Sequence, residues 1–229
     1  MLSRLISISL FLVFGFTTSF SQSFLAPNVA LKSHETLDIM KVVMSEEKTE
    51  IFLKVENRIT GGNFCADKNI FIIYPDGTRS VLVSTSGIPV CPDTYKFTSI
   101  GEKLDFVLTF PPLKKGTEWI NLVEDCSENC FSFYGITLDS NLNKKIDDAF
   151  ALAENEEPAK ALVSFMAIAE EMDNKNLGAE GLIYINIIIL AKETGSTAKA
   201  AEWYRRLESS GTPRIPLYIK HLNSQGIKY

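Results

Sequence analysis

Four cysteines, Cys65, Cys91, Cys126 and Cys130, are the residues of this sequence most suited to covalent chemistry. An even set of thiols can close two disulfides, ligate zinc or shuttle electrons, and four cysteines allow three pairings. Ser127, Glu128 and Asn129 separate Cys126 from Cys130, so that pair can close a small loop with little chain entropy to overcome. Cys65 is then left with Cys91, on either side of an expected hairpin whose open end they can staple. A redox-active dithiol usually has a two-residue spacer at a helix N-terminus, whereas this spacer is longer and its context extended. Zinc is weaker again, because neither His34 nor His221 lies near a cysteine pair. Two structural disulfides are the expectation.

The other polar groups offer less for catalysis or ligand binding. Asp139, Ser140, Asn141 and Asn143, followed by Asp147, are similar to a calcium-binding loop with oxygens at alternate positions. Such a loop needs glycine at its sixth position and a bidentate glutamate at its twelfth, where this chain has Lys144 and Phe150. A turn leading into a helix N-cap is the simpler reading. Glu154, Glu156 and Glu157 read as a solvated helix end, and Glu170, Glu171 and Asp173 as another exposed face. Neither histidine sits in a Ser-His or Cys-His arrangement, and Gly61-Gly62 has no following Lys-Ser/Thr to make a phosphate loop. No catalytic set, metal site or cofactor site is expected. Trp119, Tyr74, Tyr95 and Trp203 are the aromatic faces a sugar or peptide could stack on, though most aromatics at regular spacing are core.

The elements that must position these groups begin after an expected leader. Arg4 provides a positive start, Leu5 to Phe16 an apolar run, and residues 17–21 a small polar stretch. With Ser19 and Ser21 before the cut, cleavage leaves Gln22 first. The apolar run is too short to span a membrane. A periplasmic or secreted location follows, with no membrane span in the mature chain, and it suits the disulfides. The chain has 229 residues, 45% of them hydrophobic, and a net charge of −5. That length holds one or two domains, and the charge argues against a nucleic-acid partner.

From about Thr36 to Leu138 the apolar residues alternate. Ile51, Leu53 and Val55 form one such row, and Leu104, Phe106, Leu108 and Phe110 another. The segments 69–74 and 79–83 flank Pro75-Asp76-Gly77-Thr78, a hairpin turn. With 37–43, 118–123 and 131–138 the count reaches about seven strands, which points to an antiparallel sandwich. Beyond Asp139 the period is helical: Leu142, Ile146, Ala149, Phe150 and Ala153 share one face. A second helix is expected from Pro158 and a third over 179–193, ended by Gly195. A fourth is capped by Ser196 or Thr197, and Pro213 and Pro216 bracket the start of a short fifth. The resulting class is α+β: an antiparallel, Ig-like β-sandwich over 22–139, followed by a separate all-α domain over 140–229.

The helical part resembles a tetratricopeptide-repeat pair. Tyr184, Ile187, Ile188 and Ala191 fall at first-helix positions of that motif and Ala200, Tyr204 and Leu207 at second-helix positions. Ala161, Phe165 and Ile168 echo the latter triplet 39 residues earlier, a longer period than the family's. On that pattern Leu182, Ile185 and Ile189 line the concave groove, where their apolar character implies a covering element. The first part resembles an uncharacterised β-sandwich domain of exported Bacteroidota proteins, on Tyr74-Pro75-Asp76-Gly77, Gly87-Ile88-Pro89, the run 106–113, Asn121-Leu122-Val123-Glu124 and Phe133-Tyr134-Gly135-Ile136. The resemblance implies a fold and a compartment and carries no activity. An exported, non-catalytic module that binds an envelope or extracellular protein is the expectation, with a carbohydrate-binding sandwich as the alternative.

Overall fold

The structure, a computed structural model, describes residues 21–172, 175–212 and 214–229. The expected leader, apart from Ser21, lies outside them, as do Asp173 and Pro213. Twelve strands precede five helices among the described residues. In chain order the first strands are β1 (Ser21–Leu25), β2 (Val29–Lys32), β3 (Leu37–Ser45), β4 (Thr49–Glu56), β5 (Asn63–Phe64) and β6 (Ile70–Ile73). They are followed by β7 (Arg79–Val81), β8 (Ser84–Ser86), β9 (Tyr95–Lys96), β10 (Lys103–Phe110), β11 (Trp119–Glu124) and β12 (Ser132–Thr137). The helices are α1 (Ser140–Glu154), α2 (Pro158–Glu171), α3 (Glu180–Glu193), α4 (Thr197–Ser209) and α5 (Ile215–Ser224).

Two five-stranded antiparallel sheets form, in the orders β1-β3-β4-β10-β8 and β2-β12-β11-β6-β7, beside a small β5-β9 pair. Strict alternation explains the long central strands. In β4, Thr49, Ile51, Leu53 and Val55 are buried while their neighbours are not, and β10 does the same with Leu104, Phe106, Leu108 and Phe110. These side chains meet Ile70, Ile72, Ile120, Leu122, Phe133 and Ile136 of the second sheet in one core, so the sheets pack as a sandwich. At one lateral side β1 pairs with β3 and, after Ala26 and Pro27, β2 pairs with β12 in the other sheet. On the opposite side β7 pairs with β6 and, three residues on, β8 pairs with β10. A single run of chain therefore changes sheets on each side, and the outermost strands are only three to five residues long. Short edges of this kind offer little ladder for an added strand.

The cysteines pair as Cys65 with Cys91 and Cys126 with Cys130, with Cα separations of 5.3 and 5.5 Å. Cys65–Cys91 closes the longer loop, with a sequence separation of 26 against 4. On the chain-entropy account it contributes about 3 kcal/mol and the shorter loop about 2 kcal/mol. Replacing both Cys65 and Cys91 by Ser should therefore shift the urea midpoint further than replacing Cys126 and Cys130.

Strand gives way to helix at Asp139, whose side chain accepts from the backbone N–H groups of Asn141 and Leu142 at 2.8 and 3.1 Å and caps α1. The helices pack in chain order, α1 on α2, α2 on α3 and α3 on α4. α3 is apolar nearly all round and also meets α5 and β2, so Ile183, Ile185, Ile187, Ile188 and Leu190 are all buried. The helices lie on the outer face of the second sheet. Trp119 donates its Nε1–H to the Asn176 carbonyl at 2.9 Å. Gly135 and Gly178, both at positive φ, bring backbone onto backbone: a Cβ on Gly135 would lie 2.1 Å from the Gly178 carbonyl oxygen.

Candidate functional site

Most of the residues singled out in the sequence are occupied in holding the fold. Asp139 is a helix cap, and Asn143 donates to the Thr137 carbonyl while its Oδ1 accepts from the Asn28 N–H, each at 2.8 Å. The Asn28 side chain in turn donates to Asp147 at 2.9 Å. The similarity to a calcium loop thus resolves into a hydrogen-bonded clasp between the start of β2 and the first turns of α1. Glu157 and Glu171 form exposed ion pairs with Lys160 and Lys145, and Glu154 and Glu156 are solvated. No group of three or more His, Cys, Asp or Glu side chains with metal-holding geometry exists among the described residues. His34 shares a 2.8 Å hydrogen bond with the neighbouring Ser33 Oγ on an exposed turn. No carboxylate among the described residues orients its other nitrogen, so the nucleophile-activating relay of a triad is missing there.

The aromatic residues are similarly committed. Trp119, Tyr74 and Trp203 are buried. Trp203 packs on Tyr184 at 5.4 Å between ring centroids, with the Arg206 guanidinium 4.6 Å from its face, and the Lys114 ammonium lies 4.6 Å from the Tyr74 ring. Tyr95 donates its hydroxyl to Glu102 at 2.7 Å. Glu102 also accepts from the Thr98 N–H and hydroxyl and the Ser99 N–H, and the Tyr95 hydroxyl first, with these donors, holds its carboxyl down at about 2. Burial therefore withholds Trp119, Tyr74 and Trp203 from a sugar, while Tyr95 is half-buried with its hydroxyl engaged.

Glu124, which the sequence placed in a recurring segment without a role, joins the two disulfide loops. Its carboxylate, only 7% exposed, accepts from the Asp67 N–H at 2.7 Å and the Phe131 N–H at 3.0 Å, two residues past Cys65 and one past Cys130. Burial raises its pKa above the ordinary carboxylate value, and the two N–H groups only partly oppose that. Because the folded pKa lies above the unfolded one, the folded state binds the proton more tightly. Its contribution to stability is full below the unfolded pKa and is lost as pH rises through the folded one. Glu124→Gln should flatten that slope. It should also cost about 1–3 kcal/mol, since the amide can accept from only one of the two N–H groups. Denaturant titrations between pH 4 and 7 measure both effects.

The site that draws on both parts of the chain is a groove between α5 and the strands β2 and β12. One end, of about 530 Å³, is lined by Leu31, Lys32, Ser132, Tyr134, Arg214 and Lys220, among others. The other, of about 570 Å³, includes Val29, Leu31, Met40, Ile185 and Tyr218. They share Leu31, Lys32 and His221 and so form one trough, apolar at one end and cationic at the other. The Arg214 guanidinium lies 3.3 Å from the centroid of the Tyr134 ring. Lys32 is paired with Asp38, but among the described residues neither Arg214 nor Lys220 has a carboxylate partner. Tyr218, at the floor, has its hydroxyl pKa pushed well up by burial.

Other hollows are less convergent. The one over the outer face of the first sheet is crossed by Lys41, whose ammonium lies 4.3 Å from the Phe52 ring. Another, about 830 Å³ at the end of the sandwich around Met44 and Leu113, draws only Glu46 and Lys115 as charged groups. The groove escaped the sequence analysis because its walls lie far apart in the chain. One signal was available: Lys220, His221 and Ser224, polar and preceded by Arg214, recur at helical spacing away from Tyr218 and Leu222.

The fold and groove define an α+β protein with two disulfides and an interlayer cleft. No helix among the described residues is long and apolar enough to cross a membrane. The two disulfides are compatible with an oxidising, extracytoplasmic setting. Comparison with protein-family models, curated proteins and solved structures finds no match.

Proposed function

We propose that this chain is an exported, non-catalytic protein-interaction module of the periplasm or cell surface. In this reading residues 1–21 are a removed leader, 22–139 an Ig-like sandwich and 140–229 a tetratricopeptide-like helical domain, as the family resemblances imply. The observation that carries the reading is the groove itself. Its walls come from both parts of the chain, and the Gly135–Gly178 contact and the Trp119 bond fix their separation, so it is a preformed concave surface. Its charged groups are Lys32, Arg214 and Lys220 with the carboxylates of Glu35 and Asp38, and Ser33 on its wall bonds a His34 imidazole that no carboxylate orients among the described residues, which suits recognition over turnover.

The test is photo-crosslinking from single positions of the full-length protein in its native envelope fraction. Crosslinkers at Leu217 and Met40 should capture the same protein, and one at the remote, exposed Val163 of α2 should not. Absence of capture from every position, together with selective binding on a glycan array, would replace this reading with the sugar-binding one. A turnover signal lost on changing one carboxylate would overturn both.

A further inference from the structure

The groove has a polarity, and that polarity specifies an occupant. We infer that it takes an extended acidic segment of a partner polypeptide, with an apolar side chain at one end and carboxylates at the other. The inference rests on the interaction role proposed above and adds the chemistry of the partner.

Three observations carry it. The first is charge: Arg214, at the N-cap of α5, and Lys220, on that helix, line the same end as Lys32, in a chain whose net charge is −5. Two of these cations have no carboxylate of their own among the described residues, while Glu35 is the one carboxylate on the wall of the cationic end. An anionic ligand therefore gains charge-assisted bonds without breaking an ion pair at Arg214 or Lys220. Arg214 is also held in place, its guanidinium against the Tyr134 ring, so its N–H fork is oriented before the ligand arrives.

The second is shape. The floor follows the extended chain from Asn28 to Ser33, roughly 16 Å at the usual rise of a strand. That length matches five or six residues of an extended peptide and far exceeds one phosphate or one sugar ring. The third is the apolar end, where Val29, Leu31, Ile185 and Tyr218 surround a hollow large enough for a leucine-sized anchor. A simple anion would leave that hollow unused.

Fluorescence anisotropy on the full-length protein tests this with a labelled Leu-Leu-Glu-Asp-Glu-Glu peptide against its counterpart with lysine at every acidic position. The acidic peptide should bind and the basic one should not, and binding should weaken several-fold from 50 to 300 mM salt. Lys220→Glu should weaken it at least tenfold with unchanged thermal unfolding, since Lys220 is exposed and unpaired, whereas Lys96→Glu on the small β5-β9 pair should have no effect. Equal binding of both peptides, or indifference to Lys220→Glu, overturns the inference. So does displacement of the peptide by inorganic phosphate at low millimolar concentration, which would mark a simple anion site. The crosslinking experiment keeps the two readings apart: a captured partner whose crosslinked segment lacks Asp and Glu preserves the interaction role and removes the acidic segment.

Discussion

Ile187→Asp should unfold the helical layer outright. Ile187 is fully buried in α3, the helix that α2, α4, α5 and β2 surround. A carboxylate there has no basic partner and no route to water, because the faces of α3 on either side are filled by Ile183, Ile188, Leu190 and Ala191. Buried unpaired charge belongs to the few substitutions that cost more than about 4 kcal/mol, a large share of the 5–15 kcal/mol that holds a domain together. Circular dichroism should show loss of helix at temperatures where the wild type is folded. Ile187→Ala, which only leaves a cavity, should cost about 2–5 kcal/mol and keep the fold. Equal tolerance of both would mean that α3 is less enclosed than described.

The second large effect is expected at Gly135→Ala. At φ +63 any side chain is strained by about 1–2 kcal/mol, and here the added Cβ would also meet the Gly178 carbonyl at 2.1 Å and the Ala30 Cβ at 2.8 Å. Neither neighbour is the end of a flexible side chain, and Gly178 itself is pressed against the Trp119 ring, so it has no room to retreat. The helical layer must lift from the sheet, at a total cost of about 3 kcal/mol or more. Altered Trp119 fluorescence and a lowered denaturation midpoint report it. Gly77→Ala is the matched control: φ is +80 in the hairpin turn, but nothing lies within 4 Å of its Cβ. It should show only the backbone strain.

How far the sequence spoke for itself depends on how much each element buries. β4 and β10 each bury four side chains in strict alternation, and their period is plain. β1 buries only Phe24 and β2 only Ala30, so neither carries a pattern, and the two- and three-residue strands β5, β8 and β9 are too short to have one. All five helices were expected, since Asp139, Pro158 and Gly195 mark boundaries by chemistry that is local to the chain. The groove is another matter. Leu31, Tyr134 and Arg214 meet only in three dimensions, and no local pattern encodes their meeting. Glu124 illustrates the same limit: in the row it is one more acidic residue at the end of a strand, and only the N–H groups of Asp67 and Phe131 converging on it show its task.

The lateral strand that changes sheets also sets a schedule for the growing chain. β3 and β4 can pair across their short turn as soon as both exist, and β6 and β7 likewise. β2 has no partner but β12, and the Asn28 bonds to Asn143 reach across 115 positions. Closing a loop of that length is slow, and contacts of such separation come late. A chain made from its N-terminus therefore carries residues 29–32 unpaired until β12 has been synthesised and Asn28 unbonded until the start of α1, and the second sheet stays unfinished throughout. The groove whose floor those residues form is consequently among the last features of the molecule to exist.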